Sequence, residues 1–352
     1  MSIHIGHESA GAAEVVPRSE RVDRFGVLDD EWNALAERSG GIFSTALWSR
    51  LWWEHFGEDR ELLLHAGRSR GGALWLVLPL YAWRRRIPRV VRFLGHGPGD
   101  ELGPVHAAGN QKPAATALRG VLGELEWDVF LGEQLPGDEG WSDLLGGRTW
   151  RREASPTLHL PRSWEEYLAG RSANFRQQLR RREEALEREG EVAIRLAGEA
   201  TLHGDLDALF ALHRARWGSE RTDFHDTPFH RELAREALGR GWLRLWLLEL
   251  GGHPIAAWHG FQVGPVASYY QAGRDPVYDR LSVGFLLMSH SIRSAIAEGA
   301  NEYRFGRGDE GFKARFASAD PGLESVAMSR GVVGAAGFSA AQTARFARRF
   351  RR

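Results

Sequence analysis

Apolar positions along the chain follow two different spacings, and the order in which these spacings alternate predicts a mixed α and β protein. Phe285, Met288 and Ile292 lie three or four residues apart, as on the buried face of an amphipathic helix. Before them, short apolar runs are separated by Gly-Gly and Gly-Pro pairs, which is typical of antiparallel strands joined by tight turns. These strands are predicted at residues 243–250, 254–263 and 266–272.

The same pattern divides the chain into two units of similar layout. Residues 1–20 are small and polar and are predicted to be disordered, and residues 331–352 form a basic tail. Between them we predict an N-terminal half at 21–150 and a C-terminal half at 151–330. The helices are expected at residues 29–39, 48–55, 113–125, 173–188, 206–217, 229–239 and 283–298. The other strands are expected at residues 61–66, 73–83, 90–94, 127–131, 157–160, 192–196, 302–305 and 323–328.

The composition narrows the classes of function. Basic and acidic residues number 46 each, which argues against a protein that coats nucleic acid, and no DNA partner is expected. With no cysteine, the chain has no disulfides, thiolate metal sites or cysteine nucleophile, and zinc-type histidine spacing is missing, so no metal is predicted. The longest apolar run, at 73–82, is shorter than the roughly 20 residues of a membrane span. We therefore expect a cytoplasmic protein.

Lys313 stands out because only two of the 46 basic residues are lysines. An ammonium is a compact charge whose pKa shifts readily, whereas a guanidinium is a planar fork that stays charged. Lys313 ends the segment 306–313, whose repeated glycines after a predicted strand imply a tight loop that another group can approach closely. Asp309 lies four residues earlier and could pair with it. The ammonium could bind a phosphate or polarise a carbonyl, or simply form a surface ion pair of little energetic value.

The turn before the helix at 283–298 is a candidate seat for a phosphate. The first N–H groups of a helix lack internal partners, and the helix dipole adds positive potential there. Ser282 is suited to cap this helix, and Gly284 would allow a ligand close to the backbone. An ordinary capped helix start explains the same residues.

Polar side chains on the predicted strands and the long helix are further candidates. His259 is predicted in the middle of a strand, where a neutral imidazole could accept a proton near neutral pH. Tyr270 could donate a proton to a leaving group. A hydrogen-bonded core histidine and a packed tyrosine are the ordinary alternatives. The arginines between Arg176 and Arg182 indicate either a solvated helix face or a groove for a polyanion such as tRNA.

The order of these elements resembles the GNAT acetyltransferase fold, and more narrowly the BioF2-like family that includes acetyltransferases of the cellulose-biosynthesis CelD type. The resemblance covers about residues 25–330. The residues that carry it are Phe43-Ser44-Thr45, Trp52-Trp53, Leu78-Pro79-Leu80, Arg171-Ser172, Gly252 to Ala257, Tyr269-Tyr270, Asp275-Pro276, Ser282-Val283-Gly284 and Gly308 to Phe316. It implies an α+β fold of two GNAT-like halves, each a twisted, mostly antiparallel sheet flanked by helices.

The resemblance also implies a cofactor site in the C-terminal half. An acyl-CoA, most simply acetyl-CoA, would place its thioester between splayed strands and its pyrophosphate on the turn at the start of the helix at 283–298. The residues of that turn are Arg280, Ser282, Val283, Gly284 and Phe285. Fem-type aminoacyltransferases share the double-GNAT architecture but take the acyl group from aminoacyl-tRNA. In that group a lysine near the C-terminal helix is thought to stabilise the reacting centre, and Lys313 is similar in context.

We therefore interpret the sequence as an N-acyltransferase that moves an acyl group to an amine on an amino sugar, amino acid or other metabolite. His259 is predicted to act as the base, Tyr270 to protonate the departing thiolate, and Lys313, oriented by Asp309, to stabilise negative charge. Two alternatives stay open. One is a Fem-type transferase that uses aminoacyl-tRNA, and the other is a non-catalytic GNAT-like scaffold in polysaccharide biosynthesis.

Overall fold

The chain forms two mixed β-sheets flanked by helices, as seen in a computed structural model that describes residues 18–84, 87–218 and 224–336. The strands are β1 (Glu20–Val22), β2 (Arg60–Arg68), β3 (Leu74–Trp83), β4 (Val90–Phe93), β5 (Val105–His106), β6 (Val129–Pro136), β7 (Arg148–Glu153), β8 (Thr157–His159), β9 (Val192–Leu196), β10 (Leu243–Leu250), β11 (His253–Val263), β12 (Val266–Arg274), β13 (Glu302–Arg304) and β14 (Leu323–Ser329). The helices are α1 (Asp29–Ser39), α2 (Ala46–Phe56), α3 (Gln111–Glu124), α4 (Trp141–Leu145), α5 (Trp164–Ala169), α6 (Ala173–Glu187), α7 (Leu202–Trp217), α8 (Pro228–Gly239), α9 (Val283–Ala297) and α10 (Gly311–Ala314). This architecture confirms the predicted mixed fold.

The two sheets repeat one pattern. The first has the order β1-β2-β3-β4-β6-β14-β7, with β5 beside β3, and the second has the order β8-β13-β12-β11-β10-β9. Each sheet contains one parallel pair, β4 with β6 and β12 with β13, and the remaining pairs are antiparallel. A helix, α3 or α9, connects the two strands of each parallel pair, because parallel neighbours need a crossover.

The last strand of the chain lies in the first sheet. β14 pairs with β6 on one side and with β7 on the other. The strand at 323–328 was predicted, but its assignment to the C-terminal half was wrong, since pairing partners far apart in sequence leave no local pattern. β7 also runs across the predicted boundary at 150/151. The division of the chain into two domains remains a prediction. Below, "N-terminal half" means residues 18–153 together with β14, and "C-terminal half" means residues 154–322.

The two halves share a hydrophobic core. Trp48 of α2 lies edge-on to Phe229 of α8 and to Tyr270 of β12, with ring centroids 5.3 and 6.1 Å apart. Trp48 and Phe229 are almost fully buried. Burial of large aromatic side chains is strongly stabilising, so this core fixes the halves against each other. A second core lies within the C-terminal half, between its sheet and the helices α6 and α9.

Some sequence predictions concern the chain ends. Residues 1–20 were predicted to be disordered. Residues 1–17 of this segment lie outside the described residues, and its last residue, Glu20, begins β1. The basic tail lies outside them from residue 337 onward. In the part of the chain that the structure describes, no helix has both the length and the apolar character needed to cross a membrane.

Candidate functional site

The parallel strands β12 and β13 separate soon after they meet. They pair only from Val266 to Ser268 against Glu302 to Arg304. The chain after β13 then turns toward β8, where the Phe305 N–H donates to the Pro156 carbonyl at 3.0 Å. The resulting gap opens beside Tyr269 and Tyr270, whose side chains pack on opposite faces of the sheet.

A cavity of about 260 Å³, here called the α9 cavity, lies on the α9 side of this gap. Ser282, Gly284 and Phe285 line it at the start of α9, and Tyr269 and Phe312 line it at the gap. Gly284 is exposed, whereas Tyr269 is buried. The cavity therefore leads from the surface at the helix start to the separated strands.

Three of the five predicted cofactor residues line this cavity, namely Ser282, Gly284 and Phe285. Arg280 instead forms an exposed ion pair with Glu189 at 2.9 Å, and the Val283 side chain is fully buried in the core. The predicted side-chain cap at Ser282 is wrong. Ser282 takes a left-handed backbone conformation (φ 56°, ψ 41°), and its side chain forms no cap hydrogen bond.

Arginines surround the same cavity. The guanidinium groups of Arg182 and Arg315 lie 4.8 and 4.7 Å from the centroid of the Phe285 ring, and that of Arg216 lies 5.7 Å from the Phe312 ring. Burial lowers the pKa of both Arg182 and Arg216. Among the described residues, none of the three guanidinium groups forms an ion pair with a carboxylate. Asp279 also lines the cavity, and Arg274 and Arg216 lower its pKa, but the arginines outnumber this carboxylate. The excess of positive charge favours an anionic ligand.

A second cavity, of about 580 Å³, lies between the two halves and is called here the interdomain cavity. Charged side chains line one part of it, and the rings of Phe224, Tyr269, Tyr270 and Phe312 line another. The charged residues include Asp100, Arg151, Glu153, Arg307, Glu310 and Lys313. A pocket with apolar walls and a few converging polar groups is the usual form of a small-molecule site.

Lys313 lines the interdomain cavity but is only 2% exposed. Its Nζ donates to the carbonyls of Arg307 at 2.6 Å and Gly306 at 3.3 Å, and it pairs with Glu310 Oε2 at 2.8 Å. The predicted partner, Asp309, is exposed. This correction has a physical reason, since α10 begins only at Gly311, and Asp309 is therefore not one helical turn before Lys313.

Asp100 joins the N-terminal half to the loop that holds Lys313. Its Oδ2 accepts a hydrogen bond from the Arg307 N–H at 3.2 Å, and its Oδ1 lies 3.6 Å from Arg307 Nε. A Cβ at Gly306 would lie 2.7 Å from Asp100 Oδ2, so a glycine is required for this close approach. Burial raises the pKa of Asp100, although Arg307 opposes the shift. The sequence prediction missed Asp100, which lies in a Gly- and Pro-rich loop without a motif.

The predicted pair His259 and Tyr270 is brought together, with ring centroids 5.5 Å apart. Tyr270 lines the interdomain cavity, and its hydroxyl lies 3.1 Å from His230 Nε2. His259 lies beneath it and is fully buried. Neither imidazole nitrogen of His259 has a hydrogen-bond partner among the described residues. Burial lowers the pKa of His259 to about 3, so this placement does not favour it as a base.

Tyr269 and Phe312 line both cavities, and their ring centroids lie 6.0 Å apart. Lys313 follows Phe312 directly in the chain. Burial raises the pKa of Tyr269 to about 12, so its hydroxyl carries a proton at neutral pH. The two cavities therefore meet at a wall that offers an O–H donor and has a buried ammonium beside it.

Comparisons with known proteins agree with this geometry. Residues 173–314 match the family model described as acetyltransferase (GNAT) domain. The solved structure of FemX is 11% identical and has a TM-score of 0.65, covering 88% of this chain and 97% of its own. The C-terminal domain of a lysylphosphatidylglycerol synthetase from Agrobacterium fabrum is 13% identical, with a TM-score of 0.57 and coverage of 89% and 94%. L-PGS from Bacillus licheniformis is 12% identical, with a TM-score of 0.53 and coverage of 86% and 91%.

A search of curated protein sequences finds no match. At such low identities the structural likeness concerns the fold alone. The family match lies in the C-terminal half and ends one residue after Lys313, so it spans α6 to α10 and most of the residues of the α9 cavity. Residues 173–314 are therefore similar to a GNAT acetyltransferase domain, and the overall fold is similar to that of FemX.

Proposed function

We propose that this protein is an N-acyltransferase that binds an acyl-CoA in the α9 cavity and an amine in the interdomain cavity. The meeting of the two cavities at Tyr269 and Phe312 carries this proposal. Direct transfer needs donor and acceptor to reach one point from separate sites, and positioning of this kind supplies much of the rate enhancement.

The residues around the α9 cavity suit a donor that carries phosphate groups. Arg182 and Arg315, which lie against Phe285, would neutralise the phosphates, and the start of α9 adds the positive end of a helix dipole. The thioester would then lie at the inner end, beside Tyr269. Acetyl-CoA is the simplest donor of this class.

In the proposed reaction, the amine nitrogen forms a bond to the thioester carbon and the carbon–sulfur bond breaks. Asp100 accepts the proton that the amine loses, and Tyr269 donates a proton to the thiolate. Asp100 replaces His259 as the proposed base because Asp100 faces the interdomain cavity, whereas His259 is enclosed in the core. Tyr269 replaces Tyr270 as the proposed acid because it reaches both cavities.

Lys313 would act through its charge. All three N–H donors of the ammonium already have acceptors, and two of these are the carbonyls of Gly306 and Arg307. The ammonium would therefore hold this loop and act on the reaction through its positive charge, which would stabilise the negative charge that develops on the carbonyl oxygen. Glu310, half exposed at the cavity, is the partner that can move away without disturbing the core.

Thiol release from acetyl-CoA tests the proposal. Because the chain has no cysteine, released CoA can be titrated with a thiol reagent without background from the protein. We expect turnover with at least one member of a panel of amino sugars, amino acids and polyamines, and a loss of about tenfold or more for Tyr269→Phe relative to Tyr270→Phe. Failure of millimolar acetyl-CoA to raise the melting temperature would contradict the proposal, since a micromolar site would be strongly stabilised.

A Fem-type reaction with aminoacyl-tRNA is the second candidate, and the outer face of α6 favours it. Arg176, Arg180 and Arg181 line a surface groove on the helix that also carries Arg182. A row of arginines that leads to the donor cavity would suit a phosphate backbone. Filter retention of charged tRNA, lost at high salt and in Arg180→Ala/Arg181→Ala, would support this candidate over acyl-CoA.

We also propose that the protein belongs to the BioF2-like family with the CelD-type acetyltransferases, and that it is cytoplasmic. The support for the assignment is the set of short motifs from Phe43 to Phe316. If neither acyl-CoA nor charged tRNA binds, the non-catalytic scaffold becomes the preferred function.

A further inference from the structure

The inner end of the α9 cavity is bounded by Trp258, which is 3% exposed. Its ring centroid lies 6.1 Å from that of Tyr269, the residue at which the two cavities meet. If the phosphates of a donor lie at the start of α9, its acyl group has to lie near this pair of rings. In this arrangement Trp258 faces the part of the acyl chain beyond the carbonyl carbon.

The Trp258 ring packs closely against the backbone of its own strand. Gly260, two residues along β11, has no side chain, and the indole lies across it, since a Cβ there would come within 2.3 Å of the ring. A bulge in the pairing of β11 with β12 falls between His259 and Gly260. Bulges re-aim side chains beside functional sites, and here the bulge lies one residue beyond Trp258.

The space behind Trp258 is already filled. Its ring also packs 6.1 Å from that of Tyr303, which is fully buried and hydrogen-bonded through its hydroxyl to Ser291 Oγ at 2.7 Å. A longer acyl chain would have to displace either the indole or this hydrogen-bonded pair. Close-packed cores resist such insertion.

We propose that Trp258 is the specificity-determining residue that restricts the donor to short acyl groups of about two to four carbons. The inference rests on the proposed use of acyl-CoA. One extra or missing methylene in an apolar pocket changes discrimination by about tenfold or more, so a fixed indole is sufficient for chain-length selection.

Trp246 provides a matched control. It is the direct cross-strand partner of Trp258 and therefore lies on the same face of the sheet. Its ring packs against His290 at 4.6 Å, and it is not among the residues that line the α9 cavity. A substitution there removes an indole from the same core without enlarging the cavity.

The test is calorimetric titration of the full chain with acetyl-CoA, butyryl-CoA and hexanoyl-CoA, which needs no acceptor. We expect the unmodified protein to bind hexanoyl-CoA at least about tenfold more weakly than acetyl-CoA. Trp258→Leu should bring the two dissociation constants within about threefold, whereas Trp246→Leu should keep the original ratio. If Trp258→Leu does not fold, Trp258→Phe replaces it and should reduce the ratio of the hexanoyl-CoA to the acetyl-CoA dissociation constant relative to the unmodified protein.

The outcomes separate this inference from the function on which it rests. Equal affinity of the unmodified protein for acetyl- and hexanoyl-CoA, or an unchanged ratio in the Trp258 variants, overturns the role of Trp258 and leaves the acyltransferase proposal intact. Absence of binding for all three thioesters overturns both.

Discussion

At the scale of single residues, the buried position of Lys313 explains why a chain so rich in arginine keeps a lysine there. Three acceptors surround Nζ, and an ammonium has three donors arranged to meet them. A planar guanidinium would need more room than a site that is 2% exposed provides. Composition alone pointed to this residue. Its partner is Glu310 rather than the predicted Asp309, because α10 begins at Gly311 and Asp309 is exposed before it.

Replacement of Lys313 by alanine should lower kcat by about a hundredfold, because a charge near the developing oxyanion is lost. Lys313→Arg should not restore activity, since the guanidinium does not fit the three contacts. Lys112→Ala removes the other lysine, which is exposed, and is the matched control. Steady-state thiol release measures the effect, with melting temperatures to verify folding. A Lys313→Ala variant that folds and keeps more than a third of the turnover would remove Lys313 from the proposed site.

Two buried histidines make the stability of the protein depend on pH. Burial lowers the pKa of His259 to about 3 and that of His230 to about 4, from an ordinary value of 6.5. The unfolded chain therefore binds more protons than the folded chain once the pH falls below about 6.5. The contribution of the two neutral histidines to the free energy of unfolding is fully present above this pH and is lost as the pH falls toward the two folded-state pKa values. The loss at pH 5 is about 2 kcal/mol per histidine.

His259→Phe should reduce this acid sensitivity. The imidazole nitrogens of His259 have no partners among the described residues, so an apolar ring of similar size should cost little at pH 7. We expect the loss of unfolding free energy between pH 7 and pH 5 to shrink by about 2 kcal/mol. Urea unfolding at both pH values measures it, and His253→Phe, at an exposed position of the same strand, is the control. An equal pH dependence in all three proteins would show that His259 is not the source.

At the scale of elements, the sequence predicted most helices and strands and the antiparallel pairing of β10, β11 and β12 through tight turns, but not the pairing of strands far apart in the chain. The spacing of Phe285, Met288 and Ile292 placed α9 within one residue of its observed end. The strand at 323–328 was also predicted, yet its neighbours β6 and β7 lie at least 170 residues earlier in the chain. Local pattern encodes the buried face of an element, whereas pairing over such distances depends on the whole fold. The gap between β12 and β13 was likewise expected only from the family resemblance.

Engineered cysteines can test the pairing of β14 with β6. Ala327 and Leu131 are direct cross-strand partners, and the chain has no other cysteine to interfere. Leu131→Cys/Ala327→Cys should oxidise to a disulfide, because direct antiparallel partners lie within bonding reach. The closed loop should stabilise the fold by about 2–4 kcal/mol relative to the reduced form.

Digestion without reductant and mass spectrometry identify this cross-link. Ala257→Cys/Ala327→Cys joins β14 to the second sheet instead and should stay reduced. The opposite result, with the control pair cross-linked and the β6 pair free, would place β14 in the C-terminal half.

At the scale of the whole molecule, the N-terminal half has a structural role in the proposed site. The shared aromatic core around Trp48 fixes the halves, and this places Asp100 against the loop that holds Lys313. A contact of Asp100 with Arg307 bridges more than 200 residues, so no sequence pattern could have identified it. The N-terminal half therefore does more than support the fold, because it supplies one wall of the interdomain cavity and the carboxylate that we propose as the base.

Asp100→Asn separates these two roles. The amide oxygen can still accept the Arg307 N–H, so the loop should stay in place, but the amide cannot take a proton from the amine. We expect kcat to fall by about a hundredfold or more with little change in melting temperature. Asp100→Ala should lose the same activity and also some stability, since the partly buried N–H of Arg307 then lacks its acceptor.

The pH profile distinguishes a base at Asp100 from a purely positioning role. Burial raises the pKa of this carboxyl above its ordinary 3.8, and only the ionised form accepts a proton. The kcat/KM of the unmodified protein should therefore decline on the acid side below a pKa that lies above 3.8, and Asp100→Asn should lose that limb along with most of its rate. If Asp100→Asn keeps full activity while Asp100→Ala loses it, the carboxylate only holds the loop, and the base has to be sought among the other groups that face the interdomain cavity.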